Sequence, residues 1–153
     1  MDNNDGGWTK VFYHDTTAGL FANNAEALET NLNDPNALKY SILSKLEDLK
    51  RDGKFEFWIN YPTLDGASDG NIWTQTSNPT QGPVTDYVSI RSTHTASYWG
   101  GLELSTSSST FIDGSVNHPN WYYAIGSCRY WGGATTIPGP SSPGIEQVQL
   151  FIR

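Results

Sequence analysis

Hydrophobic and polar positions alternate at both ends of this chain and recur at helical spacing between them. Gly6-Gly7 is followed by Trp8-Thr9-Lys10-Val11-Phe12-Tyr13-His14, which reads as a turn running into a strand. Trp8, Lys10 and Phe12 share one face and Thr9, Val11 and Tyr13 the other, so both faces are partly apolar and an interior strand is expected. Asn23 to Leu32 reads as a short helix capped by Asn23 or Asn24, with Glu26 in its first turn and Leu28 and Leu32 on one face. Asn33-Asp34-Pro35 ends it. From Leu38 to Arg51 the spacing predicts a longer helix. Leu38, Ile42, Leu46 and Leu49 form its apolar stripe, Leu43 lies beside it, and Asp52-Gly53 is the stop. Phe55 to Tyr61 alternates again, with Phe55, Phe57, Ile59 and Tyr61 on one covered face, and Pro62 terminates the run.

Shorter strand patterns follow at Asn71–Thr76, Val84–Arg91, Tyr98–Ser105, Trp121–Cys128 and Gln147–Arg153. Turn-rich linkers separate them at Asn78–Pro83, Ser105–Ser109, Asp113–Asn120 and Trp131–Gly144. The elements predict an α+β fold: one β-rich domain over residues 1–153, with two N-terminal helices and then short antiparallel strands. No internal repeat is visible.

Composition narrows the function classes. Aromatic residues make up 13% of 153 residues and charged residues only 16%, which excludes a disordered chain. Fifteen glycines and 8 prolines call for many turns. Nine basic against 16 acidic residues give a net charge of −7, which argues against nucleic acid or anionic polymers as partners. Lys45, Lys50, Arg51 and Lys54 are interleaved with acids, as on a solvated helix face. The single cysteine, Cys128, rules out an internal disulfide and is expected to be a small buried hydrophobe. No signal peptide or membrane-length apolar run is present, so membrane insertion is not expected.

Two groups of residues carry a family resemblance. Met1-Asp2-Asn3-Asn4-Asp5-Gly6-Gly7-Trp8-Thr9 resembles the start of fibrinogen C-terminal-like domains, an opening that intelectin lectins share, and Val148 to Arg153 resembles the last strand of that superfamily. Trp73-x-Gln75-Thr76-Ser77-Asn78-Pro79, Trp99-Gly100-Gly101-Leu102-Glu103, Asp113-Gly114-Ser115, Trp121 to Gly126 and Ile137-Pro138-Gly139-Pro140 resemble a module at the C-terminal heads of collagen-like surface adhesins. The resemblance implies an extracellular or cell-surface head that binds a glycan or a receptor without catalysis, and the start of the chain almost directly on a structural motif leads us to expect a domain excised from a longer protein. Collagen-like stalks also imply a homotrimer. The family's calcium loop and acetyl-group pocket rely on a cysteine-containing pattern that this chain lacks, so those residues are not carried over.

The stretch from Trp73 to Pro140 is dense in Trp and Tyr set among Gly, Ser, Thr and Asn, the material of a recognition surface. Sugar binding needs ring faces for stacking and planar polar groups for hydroxyls. Trp99, Trp121, Tyr123, Tyr130 and Trp131 are the candidate faces, and Glu103, His118 and Arg129 the candidate polar partners. Trp131, in a Gly-rich loop, is the best exposed candidate, whereas Trp8 and Trp73 read as core. Asp65, Asp69 and Asn71 share a Gly-containing loop and could offer oxygens to calcium, although their spacing is not that of an EF-hand. Asp113-Gly114-Ser115 reads as a turn. His14, His94 and His118 lack metal-site spacing. Glu103 with Asp113 could be drawn as a glycosidase pair. Two alternatives thus stand beside a lectin-like head: a trimerisation cap for a fibrous stalk, and a glycoside-acting enzyme.

Overall fold

The computed structural model describes residues 7–140 and 144–153; the acidic opening Met1–Gly6 lies outside the described residues. Among the described residues all strand pairing is antiparallel, in two sheets. The larger sheet contains β1 (Thr9–Asp15), β2 (Glu29–Thr30), β3 (Lys39–Ile42), β4 (Phe55–Asn60), β5 (Asn71–Gln75), β6 (Val88–Arg91) and β10 (Gln147–Ile152). Its order is β2-β3-β1-β10-β4-β5-β6. The smaller sheet contains β7 (Trp99–Leu104), β8 (Thr110–Ser115) and β9 (Ile125–Ser127), in that order. The last strand therefore sits centrally, between the first strand and β4.

The expected strand face of Phe55, Phe57 and Ile59 is fully buried, and Tyr61 with it. The expected alternation on β1 breaks. The register shifts between Lys10 and Phe12, so a bulge turns both Val11 and Phe12 into the core. Val148, Leu150 and Ile152 join them from β10, and Leu102, Ile112 and Ile125 from the smaller sheet.

The two N-terminal helices are not formed as predicted. The first is a single turn, α1 (Asn24–Leu28), capped as expected by the Asn23 side chain, which accepts from the Glu26 N–H at 3.1 Å. The chain then straightens into β2, and Leu32 stays exposed. Over Leu38–Arg51 no α-helix forms. Lys39–Ile42 pairs with β1 and β2, and Leu43–Leu49 is a 3₁₀ helix. Three residues per turn align Leu43, Leu46 and Leu49 on one face, while Leu38 is left 46% exposed. Pro62 does end β4, and does so as the first residue of a short helix, α2 (Pro62–Asp65).

Two predicted strands are cut short by residues in the left-handed region. Asp86 (φ 52°) confines the Val84–Arg91 pattern to β6, and Tyr123 (φ 56°) confines Trp121–Cys128 to β9. One strand was missed: Thr110–Ser115 is the fully buried β8, so Asp113-Gly114-Ser115 is strand, not turn. Gly114 suits it because a Cβ there would lie 2.7 Å from the Trp99 ring. Cys128 is half-buried and free. No helix among the described residues is long and apolar enough to cross a membrane.

Candidate carbohydrate-binding groove

The aromatic stretch from Trp73 onward is mostly interior. Trp73 is fully buried, and its Nε1–H donates to Gln75 Oε1 at 2.7 Å. Trp99 is half-buried between Trp73 (ring centroids 4.9 Å apart) and Tyr123 (4.6 Å), and donates to the Tyr87 hydroxyl at 3.0 Å. Tyr123 is fully buried, with its hydroxyl donating to the Ala96 carbonyl at 2.6 Å. These two expected ligand faces are therefore packing residues. Tyr130 is half-buried against the core. Trp131 is half-buried with its edge on Tyr122, 5.6 Å away, so its expected exposure is only partial. Trp121 is half-buried and Arg129 exposed.

Of the predicted ligand residues, Glu103 and His118 share a depression of about 520 Å³. Its chemistry is largely spoken for. The Glu103 carboxylate accepts from the Asn117 N–H at 2.8 Å and the Val84 N–H at 3.3 Å, tying two loops together. His118 stacks face to face on the exposed Tyr98 at 3.8 Å. Asp113 stands directly opposite Glu103 across the β7–β8 ladder but is only 3% exposed. Burial, reinforced by the Glu103 charge, raises its pKa to about 7, against the pull of hydrogen bonds from the Ser105 hydroxyl and the Ser115 N–H.

The acidic loop is likewise engaged in protein contacts. Asp65 accepts from the Tyr61 N–H at 2.9 Å with one oxygen and contacts His94 Nε2 at 2.6 Å with the other. Asn71 is tied to the His94 backbone through both side-chain atoms at 2.8 Å. Asp69 contributes its carbonyl to the Trp58 and Asn60 side chains. Among the described residues no cluster of His, Cys, Asp or Glu is arranged to hold a metal.

The better-formed concavity lies on the outer face of the larger sheet, and strand alternation builds it. Because Phe55, Phe57 and Ile59 point inward on β4, Trp58 and Asn60 point outward; because Val148, Leu150 and Ile152 point inward on β10, Gln149 and Phe151 point outward. Antiparallel register sets Trp58 opposite Phe151 and Asn60 opposite Gln149. On the other side of β10, Lys10 of β1 stands opposite Phe151. The result is a groove of about 580 Å³, walled by the Pro35–Asn36 loop and the Pro62–Ala67 segment.

Its floor is aromatic. Phe151 stacks on Trp58 at 4.5 Å, and Trp8 meets the edge of Trp58 at 5.7 Å. Trp58 is nearly buried and fixed by its Nε1–H bond to the Asp69 carbonyl at 2.8 Å, so the accessible rings are the half-buried Trp8 and Phe151. The Arg153 guanidinium lies 4.7 Å over the Trp8 ring and is paired with Glu56 at 2.8 Å. Asn60 donates to the Gly66 and Asp69 carbonyls at 3.0 Å, which orients its amide at the groove wall. Trp58, Asn60, Gln149 and Phe151 escaped the sequence reading, which also placed Trp8 in the core. The usable signal is the alternation itself: once Phe55, Phe57, Ile59 and Val148, Leu150, Ile152 are assigned inward, Trp58, Asn60, Gln149 and Phe151 fall together on the opposite face. Comparison with family models, with curated proteins and with solved structures returns no match for this chain.

Proposed function

We propose that this chain is a non-enzymatic carbohydrate-binding module, the lectin-like head of a surface adhesin, with its glycan seated in the outer-sheet groove. One observation carries the reading: rings and amides alternate along neighbouring outward positions of β10, β4 and the start of β1. Phe151 and the face of Trp8 not covered by Arg153 offer stacking surfaces to the apolar side of a sugar ring. Gln149 offers an amide donor and acceptor to its hydroxyls, and Asn60, whose two N–H groups are already bonded to the Gly66 and Asp69 carbonyls, offers its Oδ1 as an acceptor. Hydroxyl recognition by buried amides gives specificity, because a ligand lacking those hydroxyls leaves the amides unpaired. The non-enzymatic part of the reading rests on the carboxylates. The Glu103–Asp113 pair lies away from this groove, and Glu103 is occupied in loop closure.

A glycan array tests the reading, probed with the native domain, Trp8→Ala and Gln149→Ala. The expected outcome is a restricted set of bound glycans, lost by about tenfold or more in both variants while their thermal unfolding stays cooperative. Because Asp65 and Asn71 are held by protein partners, binding is expected to survive a calcium chelator. A restricted set that neither substitution affects would move the site elsewhere.

A second reading, the trimerisation cap, has one observation of its own. The edge strand β6 exposes Val88 (56%) and Ile90 (54%), an unpaired apolar edge suited to another chain. Sedimentation at micromolar concentration distinguishes the two: a trimer that Ile90→Lys dissociates supports the cap, and a monomer removes it.

A further inference from the structure

Resting on the glycan reading, we infer that the groove selects a carboxylated sugar, a uronate or sialate residue, with Lys10 as the group that reads the carboxylate. Lys10 is the charged side chain among the described residues that line the groove, and none of those residues is Asp or Glu. Its backbone position is fixed by register: it stands directly opposite Phe151 on the β1–β10 ladder. The ammonium donates to the Pro35 carbonyl at 3.3 Å, which uses one of its three donors and holds it at the groove rim.

The ammonium also lies 5.3 Å over the Tyr13 ring, but among the described residues no carboxylate pairs with it. Lys39 sits against Glu26 at 2.5 Å, Lys50 against Glu47 at 3.9 Å and Arg153 against Glu56 at 2.8 Å. Lys10 differs from these three in having no carboxylate partner among the described residues. Burial alone lowers its pKa, as expected for a cation taken partly out of water and left unneutralised. A ligand carboxylate would supply the missing charge. In a partly desolvated groove such a charge-assisted hydrogen bond is stronger than one on an open surface. The net charge of −7 repels polyanions at long range, which favours a single carboxylated residue within an otherwise neutral glycan over a densely charged polymer.

The test is an array on which each uronate- or sialate-bearing glycan is printed beside its carboxyl methyl ester, probed with the native domain, Trp8→Ala and Lys10→Met. The expected result is that Trp8-dependent binders carry the free carboxylate and bind at least about fivefold more strongly than their esters. Lys10→Met should erase that preference while leaving ester binding in place, and added salt should weaken the acid form alone. Trp8-dependent binding to uncharged glycans, or an acid preference that persists in Lys10→Met, overturns the inference and leaves the glycan reading standing. A blank array overturns both.

Discussion

Asp113 shows how much one side chain can depend on its surroundings. In the folded chain its pKa is about 7, while an unfolded aspartate titrates near its ordinary value of 3.8. Between those values the folded state holds a proton that the unfolded state has released, so stability falls as pH rises through that window. The expected outcome is that the thermal midpoint of the native chain drops between pH 5 and pH 8 more than that of Asp113→Asn, the two curves converging at low pH. Thermal melts across the range check this, and parallel curves would show that the carboxyl is not buried as described. Gln75 makes the same point without charge. Its Oε1 accepts from Trp73 Nε1 at 2.7 Å and from the Leu102 N–H at 3.1 Å, and its Nε2 donates to the Leu102 and Ser77 carbonyls at 2.9 Å. Gln75→Leu would strand the Trp73 indole N–H and the Leu102 N–H and carbonyl in the interior and is expected to cost roughly 3 kcal/mol or more in denaturant unfolding. Neither role is written in the residue type. A glutamine after Trp-Thr and an aspartate before glycine are ordinary surface residues until the partner strands are known.

At the level of elements, legibility followed the strength of the period. The strand Phe55–Tyr61 was plain because four large apolar residues alternate and the polar ones between them are few. The last strand was plain for the same reason. The helix expected over Leu38–Arg51 failed because leucines three apart satisfy a 3₁₀ turn as well as an α-helix, and Lys39–Ile42 gained more by pairing with β1. The missed strand β8 contains Thr, Asp, Gly and Ser, so its burial could not be inferred from polarity. Its hydroxyl and carboxyl groups are satisfied inside the fold: the Thr110 hydroxyl shares its one proton between the Ile112 and Ile125 carbonyls, Ser115 donates to the Ser97 carbonyl, and Asp113 accepts from the Ser115 N–H. Backbone strain marks the same region. Ser97, Tyr98, Asn117 and Tyr123 all adopt positive φ, which sequence spacing gives no means of predicting.

Across the whole molecule, the β-rich antiparallel character of the chain could be read from its alternating runs and frequent turns, whereas the candidate site could not be read from its aromatic density. The motifs centred on Trp73, Gln75, Trp99 and Leu102 join the two sheets: the rings of Trp73 and Trp99 meet edge to face, and Gln75 bridges β5 to β7. Their conspicuous composition reflects packing. The groove instead combines residues from both ends of the chain and from β4, because the final strand inserts between β1 and β4. Trp8, Trp58 and Phe151 become neighbours only through that topology. The measurement that tests the glycan reading most directly is protein-detected NMR with the strongest glycan from the array. The account predicts shifts at the indole N–H groups of Trp8 and Trp58 and the side-chain amides of Gln149 and Asn60, with Trp131 and His118 unmoved. Shifts centred on Trp131, His118 and Tyr98, with the groove amides unmoved, would contradict it.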